Sequence, residues 1–144
     1  MINNSKRNVS LYPNDLPNSV VQGGDRKIQG GPIYPVQEVL KLAQSESIQF
    51  WSRGAIRDQR KWSLDVEDAG RLVCEALRQG RYKDSEWCEQ KPHGPWTACD
   101  SYVVKRAEWI EHTGRHMELT WYVKFAISKA GTCLLMISNH PEGT

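Results

Sequence analysis

Met117-Glu118-Leu119-Thr120-Trp121-Tyr122-Val123-Lys124-Phe125-Ala126-Ile127-Ser128 alternates apolar and polar side chains with a period of two. A β-strand sends successive side chains to opposite faces of its sheet. Met117, Leu119, Trp121, Val123, Phe125 and Ile127 therefore share one face, and Glu118, Thr120, Tyr122 and Lys124 share the other. The first face must be core. The second is polar, and it carries a phenol and an ammonium that point the same way.

The same period runs through the C-terminal half. Tyr82–Gln90 reads as a strand and Pro92-His93-Gly94-Pro95 as a loop. Ser101–Ile110 is a longer strand joined to Met117–Ser128 through His112-Thr113-Gly114. Lys129-Ala130-Gly131-Thr132 is a hairpin turn, and Cys133–Ser138 returns as the last strand. Upstream the period is helical. Pro35 to Ser47 carries Val36, Val39, Leu40, Leu42 and Ala43 as an apolar stripe, with Pro35 suited to a first turn. Ile48–Arg53 is a short extended segment, and Ala55–Trp62 a short basic helix. Ser63 or Asp65 can cap the next helix, in which Val66, Ala69, Leu72, Val73, Ala76 and Leu77 recur on one face until Gly80. Helices followed by an antiparallel meander predict an α+β domain, with the N-terminal helices packed on a curved antiparallel sheet of about four strands.

The first 32 residues differ from the rest. They are rich in Asn, Ser, Pro and Gly and show no sustained period. They read as a flexible N-terminal arm, admitting at most an isolated edge strand near Ser19–Gln22. The domain proper is expected over 33–144, starting at Ile33 or Tyr34.

At 144 residues the chain has the length of one domain, and 39% hydrophobic with 25% charged residues places it among globular domains. No run of about 18 apolar residues is present to cross a membrane as a helix. No signal peptide is expected at the start, because Lys6 and Arg7 lead into no apolar stretch. The four cysteines, Cys74, Cys88, Cys99 and Cys133, form no C-x-x-C pair, and reduced thiols in a cytoplasmic protein are the default. The net charge is only +2, yet it is unevenly spread. Residues 1–62 hold nine Lys/Arg against five Asp/Glu, and residues 63–144 hold ten against twelve. Arg53, Arg57, Arg60 and Lys61 form the sharpest cluster, suited to tracking phosphates or to forming a solvated face.

Phosphate-loop, dinucleotide, H-E-x-x-H and G-x-S-x-G signatures are absent. Cys88, His93, Cys99, His112 and His116 offer zinc-type ligands, but their spacings match no zinc pattern and no metal is expected. A ribonuclease site that needs no metal is the other candidate. Cleaving RNA through its 2′-hydroxyl needs cations for the crowded phosphorane, a base for the hydroxyl proton and an acid for the leaving 5′-oxygen. Arg81 and Lys83 open one strand, Tyr122 and Lys124 lie on another, and His140 follows the last. The same residues read blandly as surface lysines, a half-buried strand tyrosine and a terminal histidine.

Several phrases, in order, resemble the MqsR-type toxins of bacterial toxin–antitoxin systems, within the RelE-like ribonuclease superfamily. They are Tyr34-Pro35-Val36-Gln37-Glu38-Val39-Leu40-Lys41-Leu42, then Leu64-Asp65-Val66-Glu67-Asp68, then Arg81-Tyr82-Lys83-Asp84-Ser85. Trp96, Asp100 and Tyr102 follow, then Trp121-Tyr122-Val123-Lys124-Phe125 and Ile137-Ser138-Asn139-His140. The resemblance covers residues 33–141. It implies an mRNA endonuclease that uses no metal or cofactor and is blocked by a cognate antitoxin or immunity protein. Lys83, Tyr122, Lys124 and His140 would be catalytic, with Lys83 on the scissile phosphate and Tyr122 at the reaction centre. Arg53, Arg57, Arg60 and Arg81 would hold RNA. His140 stands where the family has a lysine, and the family's glutamine has no equivalent among Thr97, Ala98 and Cys99. The alternative is a non-catalytic protein-binding module on the same fold.

Overall fold

The fold is described from a computed structural model, which defines residues 7–143. Residues 1–6 of the expected arm lie outside the described residues. Helices α1 (Asn18–Val21) and α2 (Val36–Gln44) come first, then strand β1 (Ile48–Phe50) and helices α3 (Arg53–Trp62) and α4 (Val66–Gln79). Strands β2 (Arg81–Glu89), β3 (Trp96–Ile110), β4 (Arg115–Ile127) and β5 (Leu134–Pro141) complete the chain. They form one sheet in the order β1-β5-β4-β3-β2.

The architecture is α+β, with five strands rather than about four. The sheet is mixed rather than purely antiparallel. Strands β2 to β5 are an antiparallel meander, while β1 runs parallel to β5 with Ile48 opposite Leu134 and Phe50 opposite Met136. Three residues are too few to display a period, and their partner lies near the other end of the chain. β1 stops at Phe50 because Ser52 caps α3: its hydroxyl accepts from the Ala55 N–H and donates to the Ile137 carbonyl.

Helix α4 begins with a reciprocal cap. The Asp65 carboxylate accepts from the Asp68 N–H, and the Asp68 carboxylate from the Asp65 N–H. Its Leu72 and Val73 face the sheet beside Val39 of α2 and the strand residues Val123, Phe125 and Met136. Gly70 is a close-approach residue, since a Cβ there would lie 2.6 Å from the Ala43 carbonyl oxygen of α2. Tyr102 stacks on Phe125 with ring centroids 5.9 Å apart.

Residues 7–32 do not extend as a free arm. Val9 donates to Trp96 and Leu11 to Ile127, which fastens the segment to the ends of β3 and β4. Farther on, Ile28 donates to Ser85, and Arg26 accepts from Trp87, along the outer edge of β2. Between these points the residues expected as an edge strand form the single turn α1. Its Val20 is buried with Trp87, Trp96 and Ala98 in a second apolar cluster, flanked by Tyr12, Leu16 and Ile28. The segment ends on Asp100, whose carboxylate accepts from the Ile33 and Tyr34 N–H groups and from the Ser85 hydroxyl. Such a segment has no period of its own. It is ordered by a sheet made much later in the chain.

Gln90, just past β2, accepts from the Arg53 N–H and donates through its amide to the Trp51 carbonyl, just past β1. The two edge strands are thereby drawn together at one end, and the sheet curves without closing. Beyond the helices, β3 and β4 continue as a two-stranded ribbon in which Trp109 is 54% exposed. Among the described residues no helix is long and apolar enough to cross a membrane.

Candidate functional site

Arg81, Val103, Tyr122 and His140 are successive register partners across β2, β3, β4 and β5. Directly opposed residues of antiparallel strands share a face. The next such row is Asp84, Ser101, Lys124 and Ser138. Both rows lie on the face opposite Phe125 and Tyr102. The register of β2 shifts between Tyr82 and Asp84, so Lys83 is an extra residue in the strand. A bulge of this kind re-aims a side chain. The Lys83 ammonium sits 5.0 Å from the centroid of the Tyr122 ring. The Lys124 ammonium lies 5.4 Å from the same ring, and the His140 ring 5.6 Å from it. Lys83, Tyr122, Lys124 and His140, drawn from three strands, therefore meet around one phenol.

Their environments differ. Lys124 is 8% exposed and pairs with the Glu86 carboxylate. Burial works against its charge, but Cys88, Tyr122 and Glu86 outweigh it and hold the ammonium above the ordinary lysine value. Lys124 is thus a fixed cation that exchanges no proton near neutrality. Burial pushes the Tyr122 phenol up, against Lys124 and Ser101, so it remains a hydrogen-bond donor. Lys83 is half exposed, with its ammonium 4.0 Å from a carboxylate oxygen of Glu142. The Nδ1 of His140 lies 2.9 Å from the Pro141 carbonyl oxygen. A carbonyl only accepts, so Nδ1 carries a proton.

Helix α3 is fastened beside this patch by the Asn139 N–H, which donates to Asp58 at 2.9 Å. Arg57 and Lys61 then line, with Gly54, Asp58, Ser138 and His140, a cleft of about 350 Å³. Arg53, Ile56 and Arg60 line an adjoining open groove of about 580 Å³ with the same Arg57 and Lys61. Of the residues expected to hold RNA, Arg57 adjoins His140, and Arg53 and Arg60 continue the basic surface away from it. Arg81 lies in the Tyr122 row, exposed, on the far side of Val103.

Three charged residues at this patch were not anticipated from the sequence. Glu86 stands two residues beyond Asp84, and period-two alternation places it on the same face. Lys27 pairs with Asp84 and lies 3.7 Å from Glu86, yet it belongs to the segment read as an arm. Glu142 follows the last strand and carries no local signal.

The cysteines and histidines are dispersed. Cys88 and Cys99 are buried, and burial pushes the Cys99 thiol well up. His112 and His116 are exposed on the ribbon. Among the described residues no three His, Cys, Asp or Glu side chains are gathered as metal ligands. No protein-family model, curated protein or solved structure matches the chain.

Proposed function

We propose that the chain is a toxin-like endoribonuclease of the cytoplasm. It cleaves mRNA by attack of the 2′-hydroxyl and is restrained by a cognate antitoxin or immunity protein. The observation that carries this reading is the convergence of Lys83, Lys124 and His140 on Tyr122, with a basic cleft leading away from His140 along α3.

Each group has a task that its surroundings suit. Lys83 is the exposed ammonium that meets the scissile phosphate. Tyr122 stays protonated and donates to a non-bridging oxygen as charge builds on the phosphorane. Lys124, immobile beneath the ring, holds that phenol in place and supplies a fixed positive field. His140 is the proton-transferring group of the set. Arg57 and Lys61 take the neighbouring phosphates, with Arg53 and Arg60 drawing RNA in from solution.

A non-catalytic binding module on the same fold is favoured by one observation, the neutralisation of Lys124 by Glu86. The test is cleavage of a 5′-labelled mRNA by the purified protein in EDTA, beside a Lys83→Ala/His140→Ala double variant. Discrete cuts by the wild type alone, ending in 2′,3′-cyclic phosphate, support the nuclease. A folded wild type that leaves RNA intact with and without ribosomes moves the reading to the binding module.

A further inference from the structure

We infer that Glu142 is the general base of this site and His140 its general acid. The inference rests on the ribonuclease reading above and supplies the one role that reading leaves unfilled. A 2′-hydroxyl is a poor nucleophile until its proton has somewhere to go. Lys83 and Lys124 are ammoniums and accept nothing. The Tyr122 phenol keeps its proton, because burial raises it. His140 cannot both take the hydroxyl proton and deliver one to the 5′-oxygen in the same displacement. Of the carboxylates at the patch, Asp84 is held by Lys27 and Ser101 and Glu86 by Lys124 and Lys27, which leaves the exposed Glu142, 4.0 Å from the Lys83 ammonium.

The backbone fixes it there. Although β5 ends at Pro141, the Glu142 N–H donates to the Thr120 carbonyl at 2.7 Å, which carries the pairing with β4 one residue further. The contacts then run in sequence. Glu142 meets Lys83, Lys83 lies over Tyr122, and Tyr122 meets His140. A carboxylate and an imidazole, two residues apart along one strand, thus flank an ammonium and a phenol. Displacement at phosphorus asks for such a set: a proton acceptor, a proton donor, and cationic and hydrogen-bonding groups for the phosphorane.

The step balances without any redox partner. The 2′-oxygen forms a bond to phosphorus as its proton passes to Glu142. The bond from phosphorus to the 5′-oxygen breaks as His140 Nε2 gives that oxygen a proton. A 2′,3′-cyclic phosphate and a 5′-hydroxyl leave, and solvent returns the proton from Glu142 to His140.

The opposite role for the same carboxylate is a blocking one, in which Glu142 occupies Lys83 and competes with phosphate. Glu142→Gln separates the two, since it keeps the shape and removes the proton acceptor. The full chain and its variants are assayed for cleavage of a labelled oligoribonucleotide across pH and for RNA affinity by fluorescence anisotropy. A general base predicts that kcat/KM falls by about 10²–10⁴-fold in Glu142→Gln. It also predicts loss of the acid-side limb of the pH–rate profile, unweakened RNA binding and partial activity in Glu142→Asp. Cleavage by Glu142→Gln equal to or faster than wild type overturns the inference while leaving the ribonuclease reading intact. A wild type that does not cleave overturns both.

Discussion

Asp100 is a carboxylate with no solvent exposure, held by two main-chain N–H groups and one serine. Asp100→Ala leaves those donors buried without their acceptor, so we expect a loss of about 2–4 kcal/mol in urea unfolding. Burial raises this carboxyl despite its hydrogen bonds from Ser85, Ile33 and Tyr34. The native state therefore holds the proton more tightly than the unfolded chain, and the contribution of Asp100 declines as pH rises through that window. Asp84 has the opposite sign. Burial raises it, but hydrogen bonds from Lys27 and Ser101 outweigh burial and lower it. Its contribution is present above the ordinary carboxyl value and is lost as pH falls through the depressed one. Asp84→Asn should thus weaken the protein near neutrality and flatten its loss of stability below the ordinary carboxyl range, read from urea midpoints at several pH values. The candidate catalytic residues Tyr122 and Lys124 were legible because period-two alternation fixes a face. Glu86 follows from the same rule only once the bulge at Lys83 is known, since alternation from Lys83 alone puts Ser85 and Trp87 on that face. Lys27 and Glu142 were not legible, because each reaches the patch through a tertiary contact that no local pattern encodes.

At the scale of the element, the amphipathic helices were readable because their apolar stripes and caps are local. α4 ends within a residue of the expected Gly80 stop, and its cap is the expected Asp65. The segment before α2 is hidden from a local reading for the converse reason. Its apolar residues are too sparse to form a stripe, and they are ordered only by Trp87, Trp96 and Ala98 of the finished sheet. Gly31 shows how closely it approaches. A Cβ there would lie 2.2 Å from both the Ser85 hydroxyl and the Tyr82 hydroxyl. Gly31→Ala should dislodge the segment, expose the second apolar cluster and raise binding of a hydrophobic dye. The rest of the sheet should keep its circular dichroism, since the main core of α2, α4 and β3 to β5 does not depend on that contact.

For the whole molecule, charge is the property that decides encounter. Near-neutral overall, the protein concentrates Arg53, Arg57, Arg60 and Lys61 on one helix beside the candidate site. If that surface meets phosphates, RNA affinity falls with salt, and replacing Arg53, Arg57 and Arg60 by alanine lowers the logarithmic salt slope by about 2. An unchanged slope would remove α3 from the interface. The meander was legible from alternation and turns, whereas the parallel pairing of β1 with β5 is a long-range choice that sequence periodicity does not record. That pairing gives the molecule an order of completion. β5 joins β1 to β4, anchors α3 through Ser52 and Asn139, and bears His140. Among the described residues, every helix and four of the five strands emerge during synthesis before their keystone does. Until residues 134–141 arrive, β1 has no neighbour and β4 shows a bare edge. Any reactivity housed in the Tyr122 row is thus delayed until the last strand has been made.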